Sequence, residues 1–183
     1  LLEDDYILFV GTRKKHKNLS NLILAFNKIK DKVNVKLVIA GSKEKQKDDV
    51  DILIDNLNLK KHITEFISPS DEEILSLYKY AKLFVFPSLF EGFGLPPFEA
   101  LALGCPVVSS NIPVFREILE EDIACFDPYD VDDMANKIYK VLNDRNFRNH
   151  LLNLGKEKLK LFDKDKIINE YLNLFQSIVR CKP

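Results

Sequence analysis

Between Tyr6 and Phe126 the chain repeats one pattern, a strand-sized apolar run followed by a stretch whose apolar residues return every three or four positions. Tyr6–Val10 (YILFV) is the first such run and ends at Gly11; Val35–Ala40 (VKLVIA) is the second and ends at Gly41. His62–Ile67 reads as a third strand, Leu83–Phe86 (LFVF) as a fourth, Pro106–Ser109 contains a fifth, and a short sixth lies near Ala124–Phe126. Between the first two, Leu19, Leu22, Ile23, Phe26 and Ile29 mark one helical face; a polar helix is expected over 44–58, with Val50, Leu53, Ile54 and Leu57 inward. Ser70-Asp71-Glu72-Glu73 has the form of a capping box, and Ile74, Leu77 and Tyr78 lie on the helix behind it. Short continuous apolar strands separated by amphipathic helices require a parallel sheet covered on both faces. The expected class is therefore α/β, doubly wound, with about six strands. In such sheets ligands bind beyond the carboxyl ends of the strands, so the loops after Val10, Ile39, Phe86 and Val108 are where chemistry is expected.

Residues 1–183 read as one domain, closed by helices over about 131–143, 146–160 and 165–179. In these, Leu151, Leu154, Leu159, Ile167, Ile168, Tyr171, Leu172 and Phe175 are expected in the core, and the many lysines on solvated faces. A formal net charge of −1 gives bulk electrostatics no reason to select nucleic acid or an anionic membrane. No apolar run approaches the roughly 18–20 residues that span a bilayer, and no secretory signal opens the chain. Cys105, Cys125 and Cys181 are odd in number and not in C-x-x-C spacing, which favours free thiols; His16, His62 and His150 are far apart, so no metal site is expected.

Two stretches carry polar chemistry. Gly11-Thr12-Arg13-Lys14-Lys15-His16-Lys17-Asn18 joins the first strand to the first helix. A helix start offers unpaired N–H groups and positive partial charge, and Arg13 and Lys17 could neutralise phosphate oxygens there. The plain alternative is a solvated basic loop with Asn18 as helix N-cap. Neither G-x-G-x-x-G nor a P-loop is present, which weakens ordinary dinucleotide and NTPase readings.

The second stretch, Pro87-Ser88-Leu89-Phe90-Glu91-Gly92-Phe93-Gly94-Leu95-Pro96-Pro97-Phe98-Glu99-Ala100, follows the fourth strand. Its glycines allow close approach of a ligand, its prolines suit a first helical turn, and the helix is expected to run to Leu103 with Gly104 as its stop. Glu91 and Glu99 flank that helix tip. A carboxylate only accepts hydrogen bonds, so the pair suits sugar and ribose hydroxyls on either side of a diphosphate. Singly, Glu91 could be a surface acid and Glu99 a complement to the helix dipole.

The combination resembles glycosyltransferase family 4, whose members have the two-domain GT-B fold; the likeness is to its C-terminal, Rossmann-like, donor-binding domain. It rests on Phe86-Pro87-Ser88, Glu91-Gly92-Phe93-Gly94-Leu95-Pro96, Glu99-Ala100 and Gly104-Cys105-Pro106-Val107-Val108, with seven residues between the two glutamates, and on Phe9-Val10-Gly11-Thr12 with Lys17-Asn18-Leu19. Glu117 and Asp127-Pro128 follow in the family's order. The resemblance implies that Lys17 and Arg13 bind the donor diphosphate, Glu91 contacts the donor sugar at the reacting centre, and Glu99 takes the ribose hydroxyls. It further implies that Gly11 and Thr12 line the donor site, that the amides of Phe93, Gly94 and Leu95 hold sugar and phosphate, and that Ile67 belongs to a loop touching the nucleobase. The implied enzyme is a retaining hexosyltransferase that forms an α-linkage from a nucleoside-diphosphate sugar, with no metal and no cofactor. GDP- and UDP-sugars stand ahead of ADP-sugars, and mannosyl donors are favoured. The acceptor, a glycan, lipid or small molecule, is expected to bind an N-terminal domain outside this chain, with membrane contact through that domain and a cytoplasmic location in polysaccharide biosynthesis. On this reading Leu1 lies near the interdomain crossover, the full protein is about twice as long as the 183 residues, and the isolated half does not transfer sugar.

Two departures from the family pattern stand out: Thr12 where arginine is frequent, and Ser68 where glycine is commoner. The sequence also admits other readings. A non-catalytic nucleotide-binding module acting with a partner chain has no evident use for Glu91. A phospho-acceptor or flavin domain expects an acidic cluster where Gly11-Thr12-Arg13 stands, and nucleic-acid binding expects aromatics among the basic residues.

Overall fold

The computed structural model describes residues 2, 4–44, 46–118 and 124–180, with only the backbone of 117, 118, 179 and 180. Its strands are β1 (Tyr6–Val10), β2 (Lys36–Gly41), β3 (Ile63–Ile67), β4 (Leu83–Phe86), β5 (Val107–Ser110) and β6 (Cys125–Phe126). The helices are α1 (Leu19–Ile29), α2 (Asp49–Asn56), α3 (Asp71–Tyr80), α4 (Leu95–Ala102), α5 (Pro113–Ile118), α6 (Val131–Asn143), α7 (Arg145–Leu159) and α8 (Lys164–Arg180). Tight 3₁₀ turns occupy Lys15–Lys17 and Lys160–Phe162.

All the strand pairings are parallel, in the order β3-β2-β1-β4-β5-β6. This is the doubly wound, Rossmann-like order. The chain first moves outward from β1 to β2 and β3, then crosses back to lay β4 on the other side of β1, in register Ile7↔Leu83 and Leu8↔Phe84. Helix α1 packs on α2 and α6, and α4 packs on α3 and α7, covering the sheet. Tyr6, Ile7, Leu8 and Phe9 are all buried, as are all four residues of β4, because a central parallel strand is covered on both sides.

Local signals set the element ends. Ser70 caps α3, its hydroxyl accepting from the Glu73 amide while the Glu73 carboxylate accepts from the Ser70 amide, and Asp48 and Asp51 make the same reciprocal cap on α2. The second box starts α2 at Asp49, later than the expected 44. Gly41, with φ 144, brings β2 against the Gly11 carbonyl so closely that a Cβ there would collide with it.

The C-terminal helices divide. Leu151 is buried and Leu154 and Leu159 pack against the core, as expected. In α8, by contrast, Ile168, Tyr171, Leu172 and Phe175 are exposed and Ile167 is half-buried, correcting the expectation that they join the core. Their spacing does make an apolar face, but helical period specifies a face, not which surface covers it, and the described residues do not. Cys181 lies outside the described residues.

Candidate functional site

The strand order reverses between β1 and β4, and in doubly wound sheets the loops leaving two such adjacent strands diverge around a ligand crevice. The 3₁₀ turn Lys15–Lys17 follows β1, and the Glu91 loop follows β4. They are tied by the Leu89 amide, which donates to the His16 carbonyl at 2.8 Å, and by the His16 ring against Phe90, centroids 6.0 Å apart. That tie aims Lys17 across the crevice. Its Nζ donates to Glu91 Oε1 at 2.6 Å, between residues 74 apart in sequence, and lies 5.5 Å from the centre of the Phe86 ring. With side chains only 18% and 13% exposed, Lys17 and Glu91 are poorly hydrated, which strengthens their mutual attraction and their pull on any charged ligand.

Helix α4 starts on the same crevice. Gly94 is its N-cap at φ 78, and a Cβ there would stand 2.6 Å from the Phe115 ring. Pro96 and Pro97 have no N–H, so the donors at this tip reduce to the amides of Phe93, Gly94 and Leu95. Among the described residues none of the three has an acceptor. Phe93 holds the loop's outer side, stacked on Phe98 at 5.4 Å and edge-on to Phe162 at 6.0 Å, while Leu95 stays 60% exposed. Glu99 is exposed on α4, and one of its oxygens, Oε2, accepts from the Tyr78 hydroxyl at 3.2 Å.

Arg13 and Lys17, expected together at a diphosphate, are directed to opposite sides of β1. The Arg13 guanidinium, 8% exposed, donates to both Asp48 oxygens at 3.0 and 3.1 Å and to Asp51 at 2.9 Å, and it pairs with Glu65 on β3. Lys43 completes the cluster, 2.6 Å from Asp51 and 3.6 Å from Glu65. Burial by itself raises the Asp51 pKa, but hydrogen bonds from Lys43 and Arg13 outweigh it and hold the carboxyl down at about 2. With three carboxylates already around it, this guanidinium is committed to the β2–β3 side.

Other expected residues fall around the crevice rim. Gly11 donates its amide to Ala40 O at 2.9 Å, and the Thr12 hydroxyl is buried without a partner among the described residues, as is that of Ser88. Ile67 ends β3, 57% exposed, and Ser68 after it takes φ 52, a left-handed conformation that explains why glycine suits this position. Asn18 stands at the N-cap of α1 but makes no cap bond, because its side chain donates instead to the Pro128 carbonyl at 2.8 Å. The Asp127-Pro128 turn is thereby fastened beneath the loop after β1. The Glu117 side chain lies outside the described residues.

Among the contacts not anticipated are Tyr78 on Glu99, His16 on the β4 loop, and Phe162 on Phe93. Only the first had a sequence signal, a hydroxyl on an otherwise apolar helix face, which needs a partner once buried. Among the described residues no three His, Cys, Asp or Glu side chains are grouped to hold a metal ion, and no helix is long and apolar enough to cross a membrane.

Residues 2–158 match the family model described as glycosyl transferases group 1. An uncharacterised glycosyltransferase of Methanocaldococcus jannaschii is 32% identical over 177 residues, 95% of this chain and 45% of that protein. The O-antigen chain mannosyltransferase B of Escherichia coli is 29% identical over 173 residues, 93% of this chain and 45% of its own length. Among solved structures, sucrose-phosphate synthase from Thermosynechococcus elongatus superposes with a TM-score of 0.83 at 25% identity, over 98% of this chain and 47% of that one. The chain thus spans about half the length of the curated relatives it matches.

Proposed function

Because this chain belongs to the group 1 glycosyl transferases and forms the Rossmann-like half of a GT-B fold, we propose that it is the donor-binding half of a retaining hexosyltransferase. The observation that carries the reading is the pairing of Lys17 with Glu91 beside the Phe86 ring, which Gly94 at the α4 N-cap also adjoins. A cation comes from the loop after β1, and an acid and three acceptor-free amides from the loop after β4, on either side of the topological switch point.

In this reading the donor diphosphate lies over the amides of Phe93, Gly94 and Leu95, with Lys17 against it. Glu91 accepts from hydroxyls of the transferred sugar, and Glu99 from those of the ribose. Gly11 and Thr12 line the phosphate side and Ile67 the nucleobase side. In the free chain Lys17 and Glu91 neutralise each other; the incoming diphosphate draws Lys17, and the sugar hydroxyls take up the acceptor capacity released on Glu91. During transfer the bond from the anomeric carbon to the diphosphate oxygen breaks. The acceptor oxygen bonds to the same face of that carbon, and its proton passes to the departing diphosphate. The growing negative charge on the leaving group is held by Lys17 and the α4 amides, which are already in place. We assign no diphosphate role to Arg13, whose hydrogen bonds go to Asp48, Asp51 and Glu65. The donor we favour is a GDP- or UDP-hexose, with mannose first, in line with the Escherichia coli relative, a mannosyltransferase. The acceptor is a glycan or lipid held by a second domain.

Titration of the chain with GDP, UDP and ADP, followed by amide resonances, tests the site. At least one nucleotide should shift Phe93, Gly94, Leu95 and Lys17, and Lys17→Ala should weaken that binding about tenfold or more, the loss expected for one charge-assisted contact. Binding of none of the three, or wild-type affinity in the Lys17 variant, would refute the reading.

A further inference from the structure

Resting on that donor-binding reading, we propose that Tyr78 is a positioning residue for ribose recognition: its buried hydroxyl grips Oε2 of Glu99, so that Oε1 is presented to the nucleotide. Tyr78 is fully buried on α3, its ring packed edge-on to Phe84 with centroids 5.2 Å apart. Phenylalanine would fill that space equally well. The extra oxygen has one partner among the described residues, Glu99, 21 positions away on the next helix.

From the side of Glu99 the asymmetry is sharper. Glu99 is exposed, so nothing about its own burial demands a partner, and a free glutamate there would rotate about three side-chain bonds. The hydroxyl removes that freedom at one oxygen. The other, Oε1, accepts no hydrogen bond among the described residues. Burial first, and then the neighbouring Glu99 carboxylate, push the Tyr78 hydroxyl well above its ordinary pKa, so it stays protonated and donates throughout the working pH range. The result is a carboxylate held in one orientation before the ligand arrives, which lowers the ordering cost of binding.

The test uses UDP and GDP with their 2′- and 3′-deoxy forms, measured calorimetrically on the wild-type chain, Tyr78→Phe, Glu99→Gln and the double variant. Wild type should bind at least one ribonucleotide about tenfold or more tightly than its deoxy counterpart, and Glu99→Gln should erase most of that difference. Tyr78→Phe should lose about fivefold for the ribonucleotide and almost nothing for the deoxy form, and it should add no loss in the Glu99→Gln background. Tyr80→Phe, an exposed tyrosine on the same helix, should change neither. A Tyr78→Phe loss equal for ribo and deoxy forms, or no loss, overturns the proposal while Glu99 keeps its role. Wild-type discrimination in Glu99→Gln, or no nucleotide binding at all, instead overturns the donor-site reading beneath it. A measurement on the unmutated chain is independent of how the variant folds. The Tyr78 Cζ resonance should move on adding UDP or GDP and stay still with inorganic pyrophosphate, which has no ribose; an unmoved resonance with a bound nucleotide also overturns the proposal.

Discussion

Arg13 shows how strongly one side chain's partners decide its role. Its guanidinium joins the loop after β1 to Asp48 and Asp51 at the start of α2 and to Glu65 on β3. Removing it leaves those carboxylates facing one another with Lys43 as the remaining neighbour in the cluster. Arg13→Ala should therefore destabilise the chain by about 3 kcal/mol, the lower end of the loss for breaking a buried ion pair because the acids are partly hydrated. Denaturant unfolding measures this. Nucleotide affinity, measured where the variant is still folded, should change far less than in Lys17→Ala. The cluster also carries a pH dependence. Asp51 titrates at about 2 in the folded chain against an ordinary 3.8, so its stabilisation is complete above about pH 4 and is lost as pH falls from there toward 2. Unfolding free energies between pH 5 and 2 should fall more steeply in wild type than in Asp51→Asn.

At the scale of elements, α4 is the part that cannot shift. Its N-cap Gly94 has φ 78 and sits against the Phe115 ring, and its first turn carries two prolines. Gly94→Ala should cost about 2 kcal/mol or more, from the left-handed backbone together with the displaced ring. The same variant should weaken nucleotide binding, since the amides of Phe93 and Leu95 move with Gly94. Thermal unfolding with and without the tightest-binding nucleoside diphosphate separates the two effects: both the midpoint and the shift produced by the nucleotide should fall, and an undiminished shift would mean that the amides do not move with Gly94.

For the whole molecule, the exposures along α7 and α8 predict opposite outcomes for similar substitutions. Leu151, on the buried face of α7, should cost about 2–5 kcal/mol when changed to alanine. Tyr171→Ser with Phe175→Ser on α8, 59% and 58% exposed, should leave the stability of this chain within about 0.5 kcal/mol per site. Equal losses in the two tests would mean that the α8 face is covered in solution.

What the amino-acid order determined unaided was most of what near neighbours govern: the six strands to within a residue or two, the capping box at Ser70 though not the one at Asp48, the glycine loop ahead of α4, and the sheet's doubly wound class. From that class followed the strand ends where ligands should sit, and the spacing of Glu91 and Glu99 marked one loop among them. The tertiary structure alone decided which side chains meet. Lys17 reaches Glu91 because the chain returns from β3 to lay β4 beside β1, whereas Arg13, four positions earlier, faces α2 and β3 and their acids. Tyr78 reaches Glu99 because α3 and α4 share a face of the sheet. The apolar period of α8 was legible and its exposure was not. Period and capping depend on interactions a few residues apart, while charge pairing and burial depend on strand order, which brings together positions dozens of residues apart.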